Sequence, residues 1–184
     1  LTKAGRRDGW RVFSNVANIA FLITAFISLL VGMFAESLVK SPLGIAPGFS
    51  PEQQDLVVKI MRLDLIATLI FSMAGLLIAA LQANQHFLLP AIAPILYNLG
   101  QIFGALILAP SENVVIAGLR FPAYGMGVYG IVYGVLIGSF LYLLILIPGL
   151  FHYQFKWFPG FGWKDSFVKK ILNIIFIGFN FLNK

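Results

Sequence analysis

The chain has 184 residues, of which 59% are hydrophobic and only 11% are charged. Soluble domains carry about 25% charged residues, so this composition excludes an ordinary water-soluble globular fold. The net charge of +6 does not indicate nucleic-acid binding, because the basic residues cluster beside apolar runs, as the positive-inside rule describes for membrane proteins. The absence of cysteine excludes disulfides and thiolate chemistry.

Four segments are predicted to be membrane-spanning helices. No Lys, Arg, Asp or Glu lies between Asp64 and Glu112, or between Arg120 and Lys156, and each gap exceeds the ~20 residues of one helical crossing. Short connections imply antiparallel neighbours. The prediction is an all-α, polytopic transmembrane bundle in residues 1–154, with helices over residues 10–34, 57–82, 88–109 and 125–151.

Turn-forming and polar residues separate these helices. Residues 41–51 contain three prolines and two glycines, which predicts a loop. Ser50 has the character of an N-cap with Pro51 at the first helical position, so the second helix is predicted to begin there. A polar break at Gln82, Asn84, Gln85 and His86 precedes the third helix, and a polar loop from Pro110 to Pro122 precedes the fourth.

The tail, residues 155–184, begins with the aromatic and basic side chains typical of the headgroup layer and ends in an apolar segment too short for a crossing. Basic residues lie before the first helix and after the fourth, and four crossings return the chain to one side, predicted to be cytoplasmic. The chain begins with Leu1, which we interpret as an internal fragment or a clipped gene model.

Arg62 and Asp64 are ionisable groups at the edge of the second predicted span, where charge is costly and often faces a water-filled cavity. Two residues apart on a helix, they do not face each other and need separate partners. Arg62 can bind an anionic phosphate bidentately, which makes it a candidate headgroup contact. The alternative is an interfacial anchor whose charge reaches the headgroup layer.

Pro90 and Pro94, with Asn98 and Gln101, form a second constellation in the third helix. The prolines remove backbone donors, which predicts a kink. The two amides either brace the helix or line a polar transport cavity.

Glycines four residues apart recur along the third and fourth helices. Such spacing lets another backbone approach closely, and we interpret it as helix packing, with a moving interface as the alternative. In the first helix, Asn15, Asn18, Thr24 and Ser28 are predicted to form interhelical hydrogen bonds. The glycine positions are Gly100, Gly104, Gly130, Gly134 and Gly138, and the second helix repeats the spacing at Gly75, Ala79 and Ala83.

Enzymatic chemistry has no support in the sequence. His86 and His152 are the only histidines and lie far apart, and no HExxH, GxSxG or GxxxxGK[ST] motif occurs. We therefore predict neither an enzyme nor a metal or cofactor site.

The run from Leu81 to Asn98, LQANQHFLLPAIAPILYN, resembles the junction between the fourth and fifth helices of the MurJ (MviN) family of lipid II flippases. Arg62, the loop at residues 46–49 and the Tyr129–Gly130 region fit the same pattern in the same order. The resemblance covers about Lys3 to Trp163. It implies helices three to six of about fourteen, part of one lobe of a multidrug/oligosaccharidyl-lipid/polysaccharide exporter.

The resemblance also implies a function. Members would move the undecaprenyl-pyrophosphate-linked peptidoglycan precursor across the bacterial cytoplasmic (inner) membrane by alternating access, driven by an ion gradient or the membrane potential. The implied partners are membrane lipids, that precursor and the remaining helices of the parent transporter. The family's arginine-bearing first two helices and its second lobe lie outside this chain, and the tail from Lys169 to Lys184 matches poorly.

Two alternatives stay open. One is a flippase for another lipid-linked oligosaccharide, since fold alone does not fix the substrate. The other is a truncated, non-transporting membrane scaffold that binds lipid or a partner through its glycine-striped helices.

Overall fold

The computed structural model describes residues 3–162, 166, 168–170 and 173, with the backbone alone described for residues 3–7. Four of its helices are long and apolar enough to cross a membrane, which confirms the predicted all-α polytopic fold. The elements in chain order are α1 (Lys3–Met33), α2 (Ala35–Lys40), α3 (Pro51–Ala83), α4 (Leu88–Phe103), a π-helical turn (Gly104–Leu108), β1 (Val114–Ile116), β2 (Leu119–Phe121) and α5 (Val128–His152).

The predicted N-cap at Ser50 is present and starts α3. The Ser50 hydroxyl accepts a hydrogen bond from the Gln53 backbone N–H at 3.3 Å, and the Gln53 side-chain oxygen accepts one from the Ser50 N–H at 3.0 Å. This reciprocal capping box, with Pro51 at the first helical position, satisfies two amides that would otherwise lack partners. As a result, α3 extends several residues before its apolar part.

The third span departs from the predicted single kinked helix. Pro90 is the third residue of α4, where a missing N–H interrupts no helical hydrogen bond, so the prediction that it disturbs the helix interior is wrong. Pro94 alone lies inside α4. After Phe103 the helix widens, and the Ala109 N–H donates to the Gly104 carbonyl at 2.8 Å. This five-residue bond defines a π turn.

The connection from Pro110 to Pro122, predicted to be a loop, contains a two-stranded antiparallel hairpin. Val114 pairs with Phe121 and Ile116 with Leu119. The two turn residues, Ala117 and Gly118, both have positive φ, of 50° and 82°. A hairpin turn of this kind matches the twist of its strands, which explains how so short a sheet forms.

The spanning helices alternate in direction. On α1 and α3, Thr24 lies beside Ser72 and Gly32 beside Leu65, so these two helices are antiparallel. The start of α1 and the end of α5 meet, since the Trp10 ring packs edge-on against Phe155 at 5.0 Å. The start of α1 and the segment that follows α5 therefore lie at the same end of the bundle, which we call the terminal end, and the hairpin lies at the opposite end.

Buried side chains concentrate near the terminal end, while much of each span's apolar surface faces outward. Phe26, for example, is 60% exposed in the second half of α1. Outward apolar surface of this kind suits a chain that is surrounded by lipid hydrocarbon or packed against further helices. The main buried cluster consists of Trp10, Ala74, Leu77, Ala80, Leu81, Ala93, Leu146 and Leu150.

Candidate functional site

Arg62 lies in an open groove between α1 and α3, which we call the α1–α3 groove. Its Nε–H donates to the Gly32 carbonyl at 3.1 Å, in the last turn of α1, where helix carbonyls lack intrahelical partners. Its Nη2 lies 3.5 Å from the Glu36 carboxylate of α2. The groove has a volume of about 540 Å³ and is lined by Ala25, Ser28, Leu29, Gly32, Met33, Arg62, Leu65, Ile66 and Leu69.

Both partners of Arg62 were missed by sequence reasoning. Glu36 belongs to the short helix α2, which begins after a bend at Phe34 and which the hydropathy pattern does not separate from α1. The Gly32 acceptor is a backbone atom, and backbone acceptors leave no mark in the sequence. The arginine thus has a structural role in joining three elements, while its side chain stays 46% exposed.

Asp64 points away from this groove. It lies two residues beyond Arg62 on α3, a rotation of about 200°. Its side chain is exposed, and its backbone carbonyl accepts a hydrogen bond from the Thr68 hydroxyl at 3.2 Å. The two charged candidates therefore occupy opposite faces of α3.

The amide candidates lie together on α4. The Gln101 amide donates to the Tyr97 hydroxyl at 3.1 Å, one turn earlier on the same helix. Asn98 is exposed and has no side-chain hydrogen bond within the described part of the chain. Tyr97 in turn packs edge-on against Phe71 of α3 at 5.0 Å.

The groove and the amides are on different sides of α3. Arg62 and Phe71 are separated by about two and a half turns, which places them on opposite faces at a rise of roughly 14 Å. Phe71 contacts α4, whereas Arg62 contacts α1. The four predicted substrate residues are thus divided among three places, and only Asn98 and Gln101 are neighbours.

The five predicted packing glycines meet at one interface. A Cβ atom added to Gly104 would lie 2.6 Å from the Gly134 Cα, and one on Gly138 would lie 2.5 Å from the Tyr97 carbonyl oxygen. Gly100 likewise faces Gly138, and Gly130 faces the backbone after the π turn. By contrast, Gly75 of α3 is exposed, and a Cβ added there would meet no described atom within 4 Å beyond its chain neighbours and the nearby backbone of α3.

The tail folds back along α1, which the sequence did not predict. The Asn18 side-chain amide donates to the carbonyls of Phe158 and Gly160, at 3.1 and 2.6 Å. Asn18 was predicted to bond across helices, but its partners are backbone atoms of an irregular segment. Thr24 does bond across helices, accepting from the Ser72 hydroxyl at 3.2 Å.

The two histidines are brought closer than their sequence positions suggested. The rings of His86 and His152 both pack edge-on against Tyr153, with centroids at 6.0 and 5.0 Å. Within the described residues no group of three or more His, Cys, Asp or Glu side chains has the arrangement of a metal site.

A bundle of helices long and apolar enough to span a membrane, together with a groove that has one cationic end and a glycine-packed helix pair, defines a polytopic membrane protein. The chain belongs to the MurJ family of lipid II flippases, because the sequence model described as "Lipid II flippase MurJ" matches residues 2–182. This match extends to residue 182, beyond Trp163, where the resemblance read from the sequence ends.

A curated relative agrees with this assignment. Over 167 residues the chain is 26% identical to the probable lipid II flippase MurJ of Buchnera aphidicola subsp. Acyrthosiphon pisum (strain APS). The match covers 86% of this chain and 30% of the relative, so the chain spans about a third of that protein's length. No solved structure matches the chain.

Proposed function

We propose that this chain forms part of one lobe of a flippase for the undecaprenyl-pyrophosphate-linked peptidoglycan precursor, lipid II, in the bacterial cytoplasmic membrane. The observation that carries the proposal is the family match over residues 2–182. A flippase acts as a transporter rather than as a catalytic enzyme. Its remaining helices would come from the rest of a family-length protein.

The physical task is to move a large polar headgroup through about 30 Å of hydrocarbon while the lipid chain stays in the bilayer. Burying unpaired polar and charged groups is costly, so the headgroup needs a hydrated cavity between two lobes. Alternating access, in which the lobes rock around that cavity, provides such a path. The close α4–α5 contact supports a lobe that moves as a unit.

Asn98 and Gln101 are the residues that we propose as polar cavity lining. They share one helix, and Asn98 has no side-chain hydrogen bond within the described region, which leaves its amide free for a ligand. Arg62 and Asp64 remain candidates as the charged groups of the second span. The domain division proposed here is a spanning unit at residues 1–154 and an interfacial tail at residues 155–184.

The proposed orientation has the terminal end in the cytoplasm. The contact between Trp10 and Phe155 supports it, since the basic residues at the start of α1 and Lys156 after α5 then lie on one side. The α1–α3 groove would consequently open toward the outer leaflet at its Arg62 end.

The test is growth of cells depleted of their own lipid II flippase and supplied with a family-length protein that contains this segment. We expect the parent to restore growth and Asn98→Ala combined with Gln101→Ala to reduce the labelled precursor reaching the outer leaflet about tenfold, the loss of roughly one good polar contact. Gln82→Ala, an exposed amide at the end of α3, is the matched control. Failure of the parent protein to move the precursor would exclude the proposed substrate.

A further inference from the structure

We propose that the α1–α3 groove binds one glycerophospholipid, with its phosphate at Arg62 and one acyl chain in the groove. This lipid is a resident component that the protein does not transport. The inference therefore goes beyond the proposed flippase function and can be tested without any transport assay.

The position of the groove matches the shape of a phospholipid. Arg62 lies beside Gly32, at the end of the first span, which runs from Asp8 to Met33. The groove continues from there to Ala25 and Leu69, a depth of about 10 Å along either helix. Its cationic end is thus at the level of the headgroups, and its apolar part extends into the hydrocarbon.

The guanidinium of Arg62 retains donors for a phosphate. The bond to the Gly32 carbonyl uses only the Nε–H. The Nη2–Glu36 distance of 3.5 Å is that of an ion pair and exceeds an ordinary N–H···O hydrogen bond. Since arginine has five N–H donors, the terminal groups can bind two phosphate oxygens, while the Gly32 bond fixes the side chain in place.

The local charge favours a phosphate with a single negative charge. Lys59 lies one turn before Arg62 on α3 and is exposed, so it faces the same side. Together with Glu36, these groups carry a net charge of +1. Lys40 and Asp55 pair with each other at 2.6 Å and leave that balance unchanged. A phosphodiester restores neutrality, whereas a diphosphate would leave an excess of negative charge.

The apolar part of the groove suits a hydrocarbon chain. On its α1 side three small residues, Ala25, Ser28 and Gly32, lie beside the larger Leu29 and Met33 and leave space that larger side chains would fill. On the α3 side Leu65 and Leu69 provide branched apolar walls. A flexible acyl chain can fill such a space without a fixed partner geometry.

The experiment is native mass spectrometry of the full 184-residue chain released from nanodiscs of phosphatidylglycerol and phosphatidylcholine. The readout is the fraction of protein that keeps one phosphatidylglycerol. Arg62→Gln removes the phosphate contact, and Ala25→Phe fills the groove while leaving the arginine intact. We expect each to lower that fraction about tenfold, as the loss of a charge-assisted contact or of the chain site predicts.

Ile23→Phe is the matched control, because Ile23 is 52% exposed and lies on nearly the opposite face of α1 from Ala25. It should keep the lipid, and circular dichroism should show unchanged helicity for all three variants. Should Arg62→Gln fail to fold, Ala25→Phe decides alone. Retention of the lipid by Ala25→Phe or by a folded Arg62→Gln variant overturns the proposal.

The growth assay separates this inference from the flippase function. Ala25→Phe in the family-length protein that loses bound phosphatidylglycerol but still moves the precursor supports a resident lipid. Loss of precursor movement by Arg62→Gln with phosphatidylglycerol binding unchanged overturns the resident lipid and assigns Arg62 to the transported substrate.

Discussion

The α4–α5 and α1–α3 helix pairs are both antiparallel, yet they are joined in different ways. Between α4 and α5, an added Cβ on Gly134 would lie 2.6 Å from the Gly104 Cα, so backbone touches backbone. Between α1 and α3, the corresponding distance from Gly32 to a Leu65 methyl group is an ordinary 3.4 Å. Contact through glycine leaves no gap, whereas contact through side chains leaves the groove that Arg62 borders.

The largest effect is expected from a substitution that separates the glycine-packed helices α4 and α5. Gly134→Ala introduces a methyl group against the Gly104 backbone, which cannot move aside as a side chain can. We expect the free energy of unfolding to fall by about 1–3 kcal/mol, the range for overpacked interiors. Thermal unfolding in detergent, followed by circular dichroism, should show a lowered Tm.

Gly75→Ala is the matched control within the same chain. Beyond its chain neighbours and the nearby backbone of α3, no described atom lies within 4 Å of the added methyl group. The substitution should therefore stabilise α3 by about 0.5–1 kcal/mol through reduced backbone freedom. Equal losses for the two alanines would show that the α4–α5 backbone contact is not what sets stability.

The polar contacts of α1 should give a smaller effect, because they depend on single hydrogen bonds. Asn18→Leu removes the donor to the Phe158 and Gly160 carbonyls and should release the tail from α1. We expect the free energy that holds the tail on α1 to fall by about 1 kcal/mol, which corresponds to roughly a fivefold rise in tail accessibility. A cysteine introduced by Pro159→Cys, in a chain that has none, reports this as its rate of maleimide labelling.

Asn98→Leu is the matched control for Asn18→Leu. It also replaces an asparagine by leucine, but Asn98 has no side-chain hydrogen bond in the described part of the chain. Its labelling rate at position 159 should equal that of the parent. If Asn18→Leu also leaves the rate unchanged, then the tail is held by its aromatic contacts, such as Trp10 with Phe155, rather than by the amide.

The sequence predicted best those features that depend on composition and regular spacing. Charge-free runs identified the spanning helices, and Ser50 with Pro51 identified the start of α3. Glycines four residues apart identified residues that meet in the fold. Each of these signals is local, because it depends only on helix geometry or on the preference of side chains for water or hydrocarbon.

Contacts with backbone atoms, and turns with unusual residues, could not be predicted. The hairpin turn has Ala117 at φ 50°, a position where Asn or Asp is the usual signal. The acceptors for Arg62 and Asn18 are carbonyl groups, which every residue carries. The sequence therefore identified Arg62 as a candidate from its residue type. It could not identify the groove around Arg62, because that groove depends on tertiary packing.

The smallest expected effect belongs to an ion pair outside the spans. Lys40 of α2 and Asp55 of α3 are 2.6 Å apart, and both side chains are largely exposed. The hydrogen bond to the Asp55 carboxylate raises the pKa of Lys40 above its ordinary value of 10.5. Exposed pairs of this kind contribute little, so Lys40→Gln should lower Tm only slightly at neutral pH.

The pH dependence of the Tm difference between the parent and Lys40→Gln shows whether the charge of Lys40 causes it. Because the folded-state pKa of Lys40 is raised, the stabilisation is fully present below pH 10.5 and is lost as the pH rises through the folded-state value. The Tm difference between the parent and Lys40→Gln should therefore vanish in strong base, and also in about 1 M salt, where the Debye length is near 3 Å. Arg120→Gln, an exposed cation on the hairpin without an ion pair among the described residues, should show neither trend. A difference that persists in base and in salt would mean that the Lys40 side chain stabilises α2 by packing and not by its charge.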